Sequence, residues 1–221
     1  MLESYFRREE LLMISSILVS KILTSARYCF TPSSCDRATM KIPADEMKLL
    51  LRPSVQILHN IFIKHKYEIR ITGGAVRDLL MNKIPVDLDF ATTATPSEMK
   101  NMFITEGIRL TNRYGEKHAT VTACIKEENF ECSTLRVDKI IDGTRKEVEF
   151  SYDWEQDANA GRDFTINALF LSFDGTIYDY VNGIQHIKER KIKFVGNPDE
   201  TIQANPHRNF KIFSFFWYVN G

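Results

Sequence analysis

The chain has 221 residues, 43% of them hydrophobic, enough for one full core and the beginning of a second unit. Lys plus Arg number 29 and Asp plus Glu number 29; this neutral balance argues against a protein that coats nucleic acid by bulk charge, but not against a local phosphate site. The four cysteines, Cys29, Cys35, Cys124 and Cys132, form no C-x-x-C pair, which argues against zinc and a disulfide scaffold, and no apolar run reaches the roughly 18 residues of a membrane span.

Residues 1–44 read as a leader. Between Met13 and Cys35 the chain carries Lys21, Arg27, many serines and no acid, the composition of a mitochondrial transit segment. Glu3, Glu9 and Glu10 precede it and break that pattern. Starts at Met13 or Met40 would separate a mitochondrial form from a cytosolic or nuclear one; a tail without an address is the competing reading. Pro53 is placed to open a helix, and Ile57, Leu58, Ile61 and Phe62 give it one apolar face. Glu68 to Thr72 alternates as a short strand that Gly73-Gly74 breaks, and a short helix follows from Ala75 to Met81. Val86 to Ala91 is the next strand. Thr95-Pro96-Ser97-Glu98 is a capping box with proline at the first helical position, so a helix should run to about Glu106.

Two strands follow, Ala119 to Ile125 and Asn129 to Arg136, around the polar turn at Lys126-Glu127-Glu128. Asp142-Gly143 marks a turn before a strand from Glu147 to Phe150. Asp163 to Ala168 is expected to start a helix, with Asp163 as its cap. Leu169 to Phe173 and Thr176 to Tyr180 flank the hairpin signal Asp174-Gly175, and Ile192 to Val195 is a last short strand. The whole predicts an α+β fold, a mixed sheet with helices.

Asp87-Leu88-Asp89 is the strongest chemical signal. Residues two apart on a strand share a face, so both carboxylates stand side by side while Leu88 turns into the core. Such a pair invites a cation, and Mg²⁺ takes carboxylate oxygens while leaving positions for phosphate. Alone, the pair is more often a solvated strand face. Here Gly73-Gly74-Ala75-Val76-Arg77-Asp78 lies just upstream. The glycines permit close approach of backbone to phosphate, and Arg77 offers a planar fork for its oxygens. Glu131 lies on a strand with Ser133 on the same face; it is either a third catalytic carboxylate or a solvent-facing glutamate.

These segments resemble a known family. "GGAVRDLL" and "VDLDFATTATP" are similar to the opening motif of the class II tRNA nucleotidyltransferases, the CCA-adding enzymes, and closest to their animal branch. The likeness continues through "GEKHATVTA", "NFECSTLR", "VEFSYDW", "GRDFTINALF" and "DGTIYDYVNG" to "FVGNPDETIQ", over residues 47–203. It implies a DNA polymerase beta-like nucleotidyltransferase head over residues 45–180 and the start of a helical neck over 181–221. It implies addition of C-C-A to tRNA 3′ ends from CTP and ATP with Mg²⁺. Asp87 and Asp89 match the metal-binding aspartates, and Gly74 and Arg77 match nucleotide-contacting positions, with Gly73 beside them in the expected nucleotide site. Arg162 matches the second arginine of the family's R-R-D motif, expected on the triphosphate, with Asp163 after it. Gly161 replaces the first arginine.

The likeness breaks after Gln203. Where the family carries E-D-x-x-R to read the incoming base, this chain has Ala204, Asn205, Pro206, His207 and Arg208, and only the arginine matches. Asn205 presents an amide donor where a carboxylate only accepts. The resemblance thus implies triphosphate binding with weak discrimination among bases, and an altered or incomplete terminus. A poly(A) polymerase of the same superfamily, or an inactive nucleotide-binding fragment, are the alternative readings.

Overall fold

The computed structural model describes residues 29–32, 38–111, 119–141 and 145–198. The first strands are β1 (Cys29–Pro32) and β2 (Ala38–Lys41), followed by helices α1 (Ala44–Leu50) and α2 (Pro53–Lys64). Then come β3 (Ile69–Thr72), α3 (Gly74–Leu80), β4 (Asp89–Thr92), α4 (Pro96–Thr105), β5 (Arg109–Leu110), β6 (Thr120–Ile125) and β7 (Glu128–Thr134). A hairpin of β8 (Arg136–Ile141) and β9 (Arg145–Phe150) precedes α5 (Trp154–Ala160), β10 (Leu169–Leu171), β11 (Thr176–Asp179) and α6 (Gly183–Lys188). All strands except β8 and β9 join one sheet in the order β1-β2-β11-β10-β3-β4-β7-β6-β5. Its pairs are antiparallel except β4 with β7, which are parallel. This is the mixed-sheet α+β architecture that the sequence predicts.

Alternation along the strands divides the sheet into two faces. Ile69, Ile71, Phe90, Phe130, Cys132, Val121, Ala123, Leu169 and Leu171 enter the larger core, which also takes Leu58 and Phe62 from α2 and Met99 and Phe103 from α4. Phe62 meets Phe103 edge-on at 5.8 Å, tying the two helices together. The opposite face carries a smaller cluster, with Ala91 and Phe170 from the sheet and Trp154 and Ala158 from α5. Helix α5 therefore covers one part of this second face. Register shows what occupies the rest. Phe170 pairs with Thr72, Thr72 with Asp89, Asp89 with Glu131 and Glu131 with Thr122, one cross-strand row on a single face.

The capping box at α4 forms as its sequence dictates. Thr95 Oγ1 accepts from the Glu98 N–H at 3.3 Å, and the Glu98 carboxylate accepts from the Thr95 N–H at 2.7 Å. Other elements differ from expectation. Strand β4 begins at Asp89, so Asp87 stands in the bend before it. The expected helix over Asp163–Ala168 is a single 3-10 turn, Thr165–Asn167, capped by Phe164 without a side-chain bond, so Asp163 is not its cap. The expected strand at Ile192–Val195 reduces to one bridge, Phe164 to Phe194, whose rings stack at 5.0 Å. Residues 29–32 and 38–41, read from sequence within the leader, pair into the sheet through β2 and β11. The expected Asp142-Gly143 turn lies outside the described residues, as do Arg208 and the rest of 199–221. No helix among the described residues is long and apolar enough to cross a membrane.

Candidate active site

The strand-to-helix turn after β3 forms one wall. Gly73 adopts φ 71° and ψ −132°, a conformation open in practice to glycine alone. An added Cβ there would meet nothing within 4 Å, so the backbone conformation, not crowding, requires the glycine. The Gly73 N–H reaches Leu169 O at 3.4 Å, which holds the turn against β10. Arg77 is 7% exposed. Its Nε donates to Asp78 at 2.9 Å and its Nη1 to Asn167 Oδ1 at 2.8 Å. Its guanidinium thus braces α3 against the turn before β10, directly beneath Gly74, whose added Cβ would lie 3.5 Å from Arg77 Nη2.

The carboxylates come together at the start of β4. Leu88 is 7% exposed and anchors the motif in the core, while Asp87 and Asp89 are exposed. The parallel pairing of β4 with β7 sets Glu131 beside Asp89, and Glu131 is also exposed. Partial desolvation, then the charges of Glu131 and Asp87, hold the Asp89 carboxyl above the usual carboxylate range, while Arg162 pulls it down. Three charged groups, Asp87, Glu131 and Arg162, therefore lie close enough to act on Asp89. Thr122, cross-strand from Glu131, is 6% exposed, and its hydroxyl has no hydrogen-bond partner among the described residues. Cys132 lies on the core side, where burial, then Asp89 and Glu131, raise its thiol far above its ordinary value; a thiolate ligand is thereby disfavoured.

No group of three or more His, Cys, Asp or Glu side chains among the described residues converges tightly enough to cage a metal. A Mg²⁺ ion does not require one, since it is held by one or two carboxylates plus substrate phosphates. The mutual repulsion around Asp89 is the electrostatic condition that a divalent cation would relieve.

Arg162 approaches from the end of α5. Its Nε donates to Asp157 Oδ2 at 2.7 Å, and its guanidinium lies 5.2 Å from the Phe170 ring centre. Asp157, which the sequence did not single out, is 1% exposed, and its Oδ1 accepts from the Arg136 N–H at 2.9 Å. Gly161 is packed so closely that an added Cβ would stand 2.6 Å from Arg136 O. Asp163 follows Arg162, and its carbonyl accepts from the Val195 N–H at 3.1 Å.

This arrangement has known counterparts. Residues 69–193 match the model of the poly A polymerase head domain. The chain belongs to that family. Over 178 residues it is 49% identical to CCA tRNA nucleotidyltransferase 1, mitochondrial, of Homo sapiens, covering 80% of this chain and 41% of that protein. Over 197 residues it is 47% identical to the protein of the same name from Mus musculus, covering 89% and 43%. Among solved structures it resembles the Bacillus stearothermophilus CCA-adding enzyme in complex with CTP, with a TM-score of 0.64 and 30% identity over 75% of this chain and 39% of that one. The Thermotoga maritima CCA-adding enzyme complexed with tRNA has a TM-score of 0.61 at 18% identity, over 80% and 40%, and supports the fold alone. The chain spans about two fifths of the length of the relatives it matches. As a head domain of this family it includes all of the carboxylates and Arg162 within the matched span.

Proposed function

We propose that this chain carries the nucleotidyl-transfer site of a CCA-adding enzyme, which extends tRNA 3′ ends from CTP and ATP. The observation that carries this reading is the cross-strand row that sets Asp89 beside Glu131, with Asp87 and Arg162 close enough to shift its proton affinity. In the reaction the RNA 3′-hydroxyl attacks the α-phosphate and pyrophosphate leaves. Asp87 and Asp89 are the residues that would hold Mg²⁺. When bound, the ion supplies polarisation of the attacking hydroxyl and neutralisation of charge on the phosphates. Glu131 stands beside that pair as the candidate acceptor of the hydroxyl proton. Gly73 and Gly74 keep side chains out of the space above the turn, so a triphosphate can approach the backbone. Arg162 brings positive charge to the phosphates, with Asp163 beside it. Arg77 acts by holding the glycine turn in place through Asp78 and Asn167. Arg208 is assigned to base reading on the resemblance alone.

The names of the relatives favour CCA addition over poly(A) synthesis, and their mitochondrial designation favours the same compartment here. The test is incubation with tRNA lacking its 3′-terminal residues, Mg²⁺ and each labelled nucleotide in turn. Incorporation from CTP, and then from ATP, is the expected result. Incorporation from ATP alone in a long run would move the reading to poly(A) synthesis, and none from any nucleotide would contradict both.

A further inference from the structure

We infer that Asp157 is a positioning residue for triphosphate binding: from inside the protein it holds the Arg162 guanidinium where the phosphates arrive. The inference rests on the reading of Arg162 as a phosphate-binding side chain. Asp157 itself faces away from solvent, at 1% exposure, and cannot touch a nucleotide. Its two oxygens are divided between two tasks. Oδ1 accepts from the Arg136 N–H at 2.9 Å, which fixes the carboxylate to the first residue of β8. Oδ2 accepts from Arg162 Nε at 2.7 Å. The Gly161 N–H bonds to Asp157 O at 2.8 Å and closes the last turn of α5 just before Arg162.

The choice of nitrogen matters. A bond to Nε does not occupy the two terminal nitrogens, the part of the fork that grips phosphate oxygens. The Phe170 ring at 5.2 Å gives the guanidinium a floor. Phe170 shares its cross-strand row with Thr72 and Asp89, so the guanidinium over that ring is held on the face that carries the carboxylates. An unrestrained arginine loses rotamer freedom when it binds an anion, and that loss weakens binding. Asp157 imposes the order during folding. The packing of Gly161, which leaves no room for a side chain, keeps the neighbouring position from competing for the same carboxylate.

The test measures ATP binding with Mg²⁺ by calorimetry on the full chain, for wild type, Asp157→Asn, Arg162→Ala and the double variant, with a thermal melt of each. Asparagine retains an oxygen for the Arg136 N–H but turns an amide donor toward Arg162 Nε. The expected result is about tenfold weaker binding for Asp157→Asn, the scale of one charge-assisted hydrogen bond, and no further loss from it in the Arg162→Ala background. An equal loss in both backgrounds would show that Asp157 only supports the scaffold, and unchanged or tighter binding in the single variant would also overturn the proposal. Full affinity in Arg162→Ala would instead overturn the reading of Arg162, and the role of Asp157 with it. Should Asp157→Asn not fold, Arg162→Lys tests the same contact. A lysine paired with Asp157 has no fork left for phosphate, so binding falls by about tenfold; full affinity there overturns the proposal.

Discussion

Gly161 is the position that the sequence resemblance matches to an arginine, and its surroundings show what a side chain there would meet. A side chain there would drive its Cβ to 2.6 Å from Arg136 O and 2.9 Å from both Asp157 O and Asp157 Oδ1. Supplying the first arginine of the motif by Gly161→Arg should therefore weaken the fold instead of strengthening phosphate binding. Overpacking of this kind costs about 1–3 kcal/mol, which urea unfolding at neutral pH would register as a lower midpoint with the same slope. An unchanged midpoint together with tighter ATP binding would show that the backbone shifts freely to admit the side chain. Residues of this site differ in how far sequence exposes them. Asp87 and Asp89 are legible because their partners are adjacent in the chain and their residue type has few other uses in that spacing. Asp157 is not, because its partners lie 21 residues before it and five after it, and a lone aspartate in a polar helix carries no signal of burial.

At the scale of elements, local chemistry was the reliable guide. The capping box gave α4 its start to the residue, and the structure shows both reciprocal bonds. Thr95→Ala should cost about 0.5–2 kcal/mol of stability, read from urea unfolding, and an unaffected midpoint would mean the tertiary contacts of Pro96 and Met99 hold the helix alone. The β10–β11 hairpin adds a pH-dependent term. Burial pushes the Asp174 carboxyl up, but bonds from Ser172 and from the Thr176 N–H and hydroxyl, with Lys41 nearby, outweigh it and set the carboxyl at about 2. A depressed folded value means the stabilisation is present above the ordinary carboxylate value of roughly 4 and fades as pH falls toward 2. The stability difference between wild type and Asp174→Asn should thus be constant near neutrality and narrow as pH falls from about 5 to about 3. A difference independent of pH would assign the effect to something other than the charge. Elements without a local signature were missed. Strand β8 reads Arg-Val-Asp-Lys-Ile-Ile, with no clean alternation, and α5 is polar along most of its length. The 3-10 turn at Thr165–Asn167 replaced an expected helix because Thr165 is drawn to Lys193 O at 3.0 Å and His186 at 2.9 Å, contacts far away in sequence.

Over the whole molecule, register joins distant segments into one working face. The parallel pairing of β4 with β7 brings Asp89 to Glu131 across 42 residues of chain, and composition or periodicity could not reveal this. The same sheet extends the head toward the N-terminus. Met40, at 3% exposure, and Ile42, at 4%, lie in the main core, and β2 shields the edge of β11. Met40→Ala should cost about 2–5 kcal/mol, as core truncations do, and a chain beginning at Asp45 should melt well below the full chain. Equal melting of the two would show that the head ends its core at α1. The central claim is that this face binds a nucleoside triphosphate through a divalent cation held at Asp87 and Asp89. Calorimetry of ATP binding to wild type and Asp89→Asn, each with and without Mg²⁺, tests it most directly. Removal of a crowded charge should leave the variant's melting temperature unchanged or higher. The account predicts Mg²⁺-dependent binding in wild type that weakens at least about tenfold in the folded variant. Mg²⁺-independent binding in wild type, no binding in wild type, or equal affinity in Asp89→Asn would contradict it.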